Sequence, residues 1–450
     1  MTDKRFLHGQ WSSRLAFILA ASGSAIGLGN IWKFPYLVGE NGGGAFVLVY
    51  LLCVIAIGIP IMMAETMLGR RGRQSPINTM ASLAEEAGAN PLWRYVGWLG
   101  VLAGFLILSY YSVIAGWSMA YIVKMAGGFM DRVSTTDTQQ TFLDLKAASD
   151  IQLVWHTAFM GATLLIVSKG VSQGLERVTR IMMPGLLVML LVLDVYAAGT
   201  EGFGQGMAFL FKPDFGKLTG ESVLIAMGQA FFSLGLGMGS IMVYGSYLPD
   251  HVSISRSTAF VAAADTLVAL LAGIAIFPVV FSYQLAPGMG PGLIFETLPL
   301  AFGQMPAGSL VGSLFFILIF FAAITSSIAL IEPAVAWLSE NRGISRPKAS
   351  LYAGSICWFL GIGTLLSFNA WSNTTWFGRN FFELVDFVTA DILLPTGGIL
   401  VAIFASWVVK TRDSERELEL GPRYVWWQVL TRFVAPIAIA IVFSHAMGVL

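Results

Sequence analysis

Five polar residues that could do chemistry occur in otherwise apolar stretches of this 450-residue chain. They are Asn30, Ser233, Asp265, Thr325 and Ser326. Their side chains all offer hard oxygen atoms, and the stretches that hold them contain no His or Cys. This chemistry suits an alkali or alkaline-earth cation rather than zinc or copper.

Two of these residues border Gly-rich segments. Asn30 closes GSAIGLGN (23–30), and Ser233 opens SLGLGMGS (233–240). If a membrane helix unwinds at such a segment, N–H groups are freed at the start of its outer half, and C=O groups at the end of its inner half. The N–H end attracts a carboxylate, and the C=O end attracts a cation. One break could therefore hold a zwitterion beside a small cation.

Each of these features has a simpler interpretation. Glycines also permit close helix packing, and Ser or Thr hydroxyls often bond to the preceding helical turn. Asp265 is harder to explain structurally, because a carboxylate in mid-membrane is costly. Glu65 is interpreted as a structural hydrogen-bond partner, and Glu332, which precedes Pro333, as a group that repairs the backbone there.

The composition indicates a membrane protein. Hydrophobic residues make up 56% of the chain and charged residues 12%, about half the charge that is usual in a soluble protein. Mean hydropathy is +0.74. The apolar runs predict an all-α polytopic fold with eleven spans. The predicted spans are 12–37, 41–69, 93–124, 152–169, 177–198, 222–248, 257–284, 309–339, 348–368, 381–410 and 424–449.

The charge pattern predicts the topology. With the N-terminus in the cytoplasm, 18 of the 26 Lys and Arg residues fall in cytoplasmic segments and 6 in outer ones, as the positive-inside rule requires. The two Gly-rich segments lie five spans apart, so the second enters the membrane from the opposite side. Paired breaks of this kind are typical of inverted repeats in transporters. We expect inverted repeats at 1–200 (spans 1–5) and 201–412 (spans 6–10), followed by a cytoplasmic linker and span 11 at 413–450.

Several other function classes find little support. Formal net charge is zero, so no basic footprint for nucleic acid exists. Cys53 and Cys357 have no metal or redox spacing. The four His residues are scattered without an H-E-x-x-H pattern, so we do not expect an enzyme. A symporter is favoured over a nutrient sensor that binds solute without transport, and over a channel. The start of the chain does not read as a signal peptide.

Four motifs of this sequence resemble those of a known family. GSAIGLGNIWKFPY, NGGGAF, GQAFFSLGLGMG and FAAITSSIALIEP look like the signatures of the neurotransmitter:sodium symporters, over essentially the whole chain. Eleven spans and short loops resemble the bacterial amino-acid members. The resemblance implies a LeuT-type fold with discontinuous helices 1 and 6 in two inverted five-helix repeats, and location in the bacterial inner (plasma) membrane.

The resemblance also implies two Na+ sites. The first would use the Ala25 carbonyl, Asn30, Ser233, Asp265 and the carboxylate of the solute. The second would use the carbonyls of Gly23, Ile26 and Ala322 with the hydroxyls of Thr325 and Ser326.

An L-amino acid is the implied solute. Its carboxylate would meet the N–H groups of Leu28 and Gly29 and the Tyr111 hydroxyl. Its ammonium group would face the carbonyls of Ala25, Phe232 and Ser233. Its side chain would lie among Ile107, Tyr111, Phe232, Gly235, Met238, Ser326 and Leu330. These side chains carry no charge and Gly235 leaves room, so we expect neutral hydrophobic, even aromatic, L-amino acids.

The resemblance also implies which residues form the outer and inner gates. The outer gate would pair Lys33 with Asp386, with Phe232 as a lid and Gln229 beside it. The inner gate would involve Ser246, Tyr247 and Glu340. Since the family's N-terminal arginine is replaced by His8, Lys4 or Arg5 would have to serve Glu340.

This sequence differs from the family pattern in two respects, one that concerns chloride and one that concerns the strength of the outer gate. Asp265 stands where many relatives have Asn, and Ala269 where chloride-dependent members have Ser. A fixed negative charge at Asp265 could take the place of a bound chloride ion, so we predict that transport does not require chloride. Lys33 replaces an arginine, and it lacks the bidentate fork of that residue.

Overall fold

The fold is a bundle of apolar helices. It is described from a computed structural model that covers residues 9–128, 134–284 and 292–448. Nine of the described helices are long and apolar enough to cross a membrane, and one bent pair makes a tenth span. Two short helices, Gly220–Ser233 and Ser240–Ser246, occupy predicted span 6. Lys4, Arg5 and His8 lie outside the described residues.

The bounds of the spans follow the prediction closely. Span 1 is Arg14–Ala25 with Gly29–Glu40, and spans 2 to 5 are Gly44–Gly72, Pro91–Ala126, Ser149–Ser168 and Val171–Ala198. Spans 7 to 11 are Ile254–Ser282, Gly308–Arg342, Arg346–Ser367, Phe381–Val408 and Gly421–Ala446.

The polar connections contain further short helices. These are Pro76–Ala87, Thr135–Ala147, Phe203–Phe211, Leu298–Gln304 and Thr411–Leu418. All five lie between the predicted spans. Thr135–Ala147 forms because Ser134 and Asp137 make a capping box at its start.

Spans 3 and 8 form the centre of the bundle. They pack along each other, and 78% of the most apolar window of each is buried. The corresponding windows of spans 4, 5 and 11 are 33%, 28% and 17% buried. Because these outer helices are apolar yet little covered, their free faces are the ones that meet lipid.

Spans 1 and 6 are broken in mid-course, as the Gly-rich segments predict. The two halves of span 1 meet at a bend of 55°. In span 6 the helix stops at Ser233 and restarts at Ser240. Gly235, Gly237 and Gly239 all have positive φ between the two halves, a backbone conformation that side chains disfavour.

The inner half of span 6 lies directly on the backbone of span 2. A Cβ atom added at Gly69 would stand 1.9 Å from the Met242 carbonyl oxygen and 3.0 Å from the Ser246 nitrogen. Both groups belong to main chain, so they cannot turn aside as a flexible side chain could. Glycine at position 69 is therefore what allows these two helices to touch.

We expect Gly69→Ala to lower the free energy of unfolding by about 1–3 kcal/mol, because the helices must separate. Gly161→Ala is the matched control, since Gly161 also lies in a span and has nothing within 4 Å of an added Cβ. Thermal melting of the purified protein in detergent measures both. Equal melting temperatures for the two variants would contradict the contact.

Candidate functional site

A buried polar cluster joins span 1, span 6 and span 7. The Asn30 side-chain amide donates to Asp265 Oδ1 at 2.7 Å and to Ser233 Oγ at 3.1 Å. Ser233 Oγ in turn donates to Asp265 Oδ2 at 2.7 Å. All three side chains are at most 2% exposed. The structure thus brings together the three side chains that the sequence assigns to the first cation site.

Asn30 also repairs the break in its own span. Its amide oxygen accepts a hydrogen bond from the Gly27 N–H at 3.1 Å. Without water in the membrane, that N–H would otherwise have no partner. One amide therefore stabilises the unwound backbone and holds the carboxylate of span 7.

A second oxygen cluster lies where span 8 crosses the break in span 1. Ser326 Oγ donates to the carbonyl oxygens of Gly23 at 3.3 Å and Ile26 at 3.2 Å. Thr325 instead bonds within its own helix, to the Phe321 and Ala322 carbonyls. Its Cβ nevertheless lies against Gly23, 3.1 Å from an added Cβ there. Three of the five groups predicted for the second cation site are therefore in direct contact, and the other two, the Thr325 hydroxyl and the Ala322 carbonyl, are bonded to each other on the adjoining turn of span 8.

A cavity of about 440 Å3 of space not filled by atoms opens between the two breaks. All eleven residues predicted to bind the solute line it: Ala25, Leu28, Gly29, Ile107, Tyr111, Phe232, Ser233, Gly235, Met238, Ser326 and Leu330. Ala25, Ser233 and Ser326 also belong to the predicted cation sites. Solute and cations would therefore be neighbours.

Three further lining residues were missed by the sequence argument: Ser24, Gly27 and Ser240. Gly27 has a steric reason to be glycine, because an added Cβ would lie 2.6 Å from Ser326 Oγ and 3.1 Å from the Tyr111 hydroxyl. The signal was present, since Gly27 and Ser24 lie inside GSAIGLGN. Tyr111 also accepts a long hydrogen bond of 3.4 Å from the Leu28 N–H, where the carboxylate of a solute is predicted.

Comparison with known proteins extends along the whole chain. The sequence profile of the "Sodium:neurotransmitter symporter family" matches residues 8–152 and 139–449. An uncharacterized sodium-dependent transporter of Bacillus subtilis, YhdH, is 39% identical over 98% of both chains. One from Haemophilus influenzae is 34% identical over 98% of this chain and 99% of its own. This chain belongs to the sodium:neurotransmitter symporter family.

A solved symporter structure is also similar. The crystal structure of MhsT in complex with L-phenylalanine superposes with a TM-score of 0.90 at 43% identity. The alignment covers 97% of this chain and 99% of MhsT. The fold is therefore that of a LeuT-type symporter, and the activity at family level is sodium-dependent transport.

At the outer end of this symporter, the predicted gate is only partly assembled. Gln229 donates to the Gly29 carbonyl at 3.3 Å, and Lys33 Nζ lies 4.5 Å from the centre of the Phe232 ring. The expected ion pair between Lys33 and Asp386 is not formed: among the described residues, Lys33 has no carboxylate within 4 Å. The ring of Phe232 takes the place of the acid through a cation–π contact.

A second acid near the outer gate was missed. Asp391 lines one cavity together with Lys33 and Phe232. It lies five residues after Asp386, and Phe387–Leu393 is a π-helical segment, in which residues five apart are hydrogen-bonded neighbours along the helix. The sequence signal was a mid-span carboxylate, which is a functional hypothesis in its own right.

At the inner end the contacts are short. The Tyr247 hydroxyl donates to Glu332 Oε1 at 2.6 Å, and Arg346 pairs with Glu332 Oε2 at 2.6 Å. The interpretation of Glu332 as a backbone repair group was wrong, because its carboxylate ties span 8 to Tyr247 and to the start of span 9. Ser246, which was predicted to act in the gate, bonds to the Val243 carbonyl of its own helix.

Glu340 holds the turn after span 2. It accepts hydrogen bonds from the Ser75 N–H at 2.6 Å, the Ser75 hydroxyl at 2.5 Å and the Asn78 amide at 2.7 Å. The predicted partners, Lys4 or Arg5, lie outside the described residues, as does His8, which replaces the family's arginine. Within the described part of the N-terminal segment, Trp11 donates from its backbone N–H to the Tyr247 carbonyl at 3.0 Å.

Glu65 supports the break in span 6. Its Oε1 accepts the Gly237 N–H at 2.7 Å, while the side chain is 1% exposed. The interpretation of Glu65 as a structural hydrogen-bond partner is confirmed. No other described acceptor bonds that N–H, so the unwound segment depends on this carboxylate.

We expect Glu65→Leu to destabilise the protein by about 1–3 kcal/mol, because it leaves the Gly237 N–H buried and unpaired. Glu65→Gln keeps an acceptor oxygen at the same place and is expected to retain most of the stability. Melting temperatures of the two variants in one detergent provide the comparison. A Gln variant as unstable as the Leu variant would show that charge, not the hydrogen bond, is what matters.

Proposed function

We propose that this protein is a sodium-coupled symporter that imports neutral hydrophobic L-amino acids, aromatic ones included. The observation that carries the proposal is the cavity between the two breaks, whose walls are apolar apart from backbone ends and hydroxyls. The carboxylate of Asp265, which adjoins the lining residue Ser233, is already bonded to Asn30 and Ser233. The L-phenylalanine bound in the related MhsT supports the choice of solute class.

The backbone ends supply the recognition of the amino-acid core. The carboxylate of the solute would take the N–H groups of Leu28 and Gly29 and the Tyr111 hydroxyl. The ammonium group would take the carbonyls of Ala25 and Phe232, with that of Ser233. Because these groups are fixed in the unwound segments, they select the zwitterion and leave the side chain to the apolar walls.

Two sodium ions are proposed as co-transported cations. One would lie among the Ala25 carbonyl, Asn30, Ser233 and Asp265, with the solute carboxylate completing its shell. The other would lie among the Gly23, Ile26 and Ala322 carbonyls with the hydroxyls of Thr325 and Ser326. In the present geometry Asn30, Ser233 and Asp265 are hydrogen-bonded to one another, and Ser326 donates to the Gly23 and Ile26 carbonyls. A sodium ion in either site would replace hydrogen bonds of this kind.

The stoichiometry has a large energetic consequence. One cation crossing about 100 mV contributes roughly 2.3 kcal/mol, and a tenfold gradient adds about 1.4 kcal/mol. One sodium ion therefore supports roughly 500-fold accumulation of a zwitterion, and two support on the order of 10⁵-fold. A measured accumulation ratio above about a thousand thus requires the second site.

Alternating access would use the two halves of the fold. Spans 1–5 (residues 1–200) and spans 6–10 (201–412) would be inverted repeats, with the broken spans facing each other at the centre. Residues 413–450 would add the cytoplasmic linker and span 11. The charge pattern supports a cytoplasmic N-terminus, and membership of the family together with its bacterial relatives supports the bacterial inner membrane.

The decisive experiment is uptake of the twenty amino acids into liposomes that hold the purified protein, with and without a sodium gradient. Sodium-dependent uptake of leucine, phenylalanine and similar solutes is expected. Sodium-dependent binding without counterflow would instead indicate a sensor. Steady current without amino acid would indicate a channel. Uptake of charged amino acids alone would refute the assigned pocket.

Gly235 sets the size of the cavity in this proposal. We expect Gly235→Asn to lower the affinity for phenylalanine at least tenfold more than the affinity for alanine, because its side chain occupies the space of a ring. Asn tolerates the positive φ of 65° at this position. The ratio of the two affinities, measured by sodium-dependent binding, separates lost space from backbone strain. An unchanged ratio would contradict the pocket.

Chloride independence follows from the charge at Asp265. Uptake is expected to be equal in chloride and gluconate. Asp265→Asn should lose most uptake in both salts, because the cation site loses its charge. Adding Ala269→Ser one turn later should restore part of the uptake in chloride only, while Ala269→Ser alone behaves as wild type. Chloride-stimulated uptake by the unaltered protein would overturn the proposal.

The outer gate would use two acids. We expect Asp391→Asn to speed release of bound amino acid several-fold, since Lys33 loses its counter-charge in the shared cavity. A double-mutant cycle with Lys33→Gln measures the coupling, and a parallel cycle with Asp386→Asn tests the pair predicted from the family. Asp150→Asn, an exposed acid at the start of span 4, is the control. Strictly additive effects would rule out the coupling.

A further inference from the structure

A basic depression lies on the surface of spans 4 and 5, away from the cavity between the breaks. It encloses about 950 Å3 of space not filled by atoms, counting the part open to the surroundings. Its wall includes Lys169, Gln173 and Arg177, with the apolar side chains of Ile166 and Ile181. Two cations and an amide therefore adjoin an apolar surface.

The turn between the two spans fixes this arrangement. Span 4 ends at Ser168, and the chain reverses at Gly170 before the π-helical turn Val171–Glu176. A Cβ added at Gly174 would lie 2.2 Å from the Ile166 carbonyl oxygen, so the two helix ends are in backbone contact. The close contact brings Lys169, at the end of span 4, beside the first turns of span 5.

Along span 5 the relevant side chains share one face. Arg177 and Ile181 are four residues apart on the α-helical part of span 5, which places them above one another, and Gln173 lines the same depression from the π-helical turn. Arg177 lies six residues after the start of span 5 at Val171. The order along this face is therefore amide, cation and then apolar surface.

The two cations have no acidic partner. Within residues 9–128, 134–284 and 292–448, neither Lys169 nor Arg177 has a carboxylate within 4 Å. Arg180, one turn further along, differs because it pairs with Glu176 at 2.7 Å. A guanidinium at the edge of the hydrocarbon without a counter-charge is costly. The depression thus presents uncompensated positive charge.

The surface beyond the cations faces lipid. Ile181 and Leu165 are each 67% exposed, and the apolar windows of spans 4 and 5 are about one-third buried or less. A ligand that is complementary to both parts of the depression therefore carries a phosphate-like anion at one end, for the cations, and an acyl chain at the other, for the apolar surface. Arginine binds phosphate through two parallel N–H groups, and lysine adds a second positive charge.

We propose that this depression binds an anionic glycerophospholipid of the cytoplasmic leaflet. Lys169 and Arg177 hold the phosphate, Gln173 donates to the headgroup, and an acyl chain lies along Ile181. The proposal rests on the proposed topology, which places this turn at the cytoplasmic surface, where basic pockets between helices attract anionic lipids. It does not depend on the identity of the transported solute.

The lipid would lie next to a contact between spans 1 and 5. Glu176, beside Arg177 in the chain, accepts the Ser12 N–H at 3.0 Å and the Ser12 hydroxyl at 2.6 Å. Ser12 immediately precedes the inner half of span 1. A phosphate bound to Arg177 would not compete with the Glu176 carboxylate, which would stay bonded to Arg180 and Ser12. The contact between spans 1 and 5 would therefore be kept.

Native mass spectrometry of the full-length protein tests the proposal. The protein is released from nanodiscs that contain equal amounts of phosphatidylglycerol and phosphatidylcholine, and bound lipids are counted. Wild type is expected to retain phosphatidylglycerol in preference. The double variant Lys169→Gln/Arg177→Gln should lose that preference at least tenfold, whereas Arg256→Gln, which removes an exposed cation at the start of span 7, should keep it.

A charge-conserving variant is the control that separates loss of the lipid site from misfolding. Lys169→Arg/Arg177→Lys should retain the lipid, and sodium-dependent amino-acid binding reports that each variant is folded. An unchanged lipid preference in the Gln double variant would overturn the proposal. Loss of the preference on addition of millimolar inorganic phosphate, with phosphate retained in its place, would show a free-anion site and would overturn it equally.

Discussion

The main physical constraint on this structure is that unwound backbone inside a membrane must find its hydrogen-bond partners within the protein. Both breaks meet it with side chains from other elements. Glu65 of span 2 accepts the Gly237 N–H in span 6, and Tyr111 of span 3 reaches the Leu28 N–H in span 1. Spans 2 and 3 therefore hold the breaks open. The solute groups that we propose to bind there would join a network that already exists.

Asn30 connects the two breaks through a single amide. Its oxygen accepts from Gly27 in its own span, and its nitrogen donates to Asp265 of span 7 and Ser233 of span 6. A cation that displaces these hydrogen bonds would change the partners of both broken spans at once. This gives coupling a physical basis, because a ligand shifts a conformational equilibrium only through contacts that differ between states.

The elements and the cavity could be predicted from the sequence because they depend on local signals. Long apolar runs predict spans, and the glycines of 23–30 and 233–240 predict the breaks. Eleven of the fourteen residues that line the cavity follow from matching motifs to a family. These signals do not depend on which rotamer a side chain adopts in the folded protein.

The side-chain partners could not be predicted, since they depend on packing between distant elements. Lys33 rests on Phe232 rather than on Asp386, and Glu332 binds Tyr247 and Arg346. Helix periodicity also misleads in span 10. An α-helix places residues three or four apart on one face. In the π-helical segment that follows Asp386, the neighbour along the helix is instead five residues away, at Asp391.

The two ends of the transport path differ in how firmly they are held. At the inner end, Glu332 makes two bonds of 2.6 Å, to Tyr247 and Arg346. At the outer end the contacts are a cation–π contact of 4.5 Å at Lys33 and one hydrogen bond of 3.3 Å at Gln229. A buried, hydrogen-bonded ion pair is costly to separate, while a cation–π contact between half-buried groups such as Lys33 and Phe232 contributes about 0.5–2 kcal/mol. Opening the outer end therefore costs less than opening the inner end. The cations and solute would have to stabilise outer closure before the inner contacts can be exchanged, which is the order that the proposed import requires.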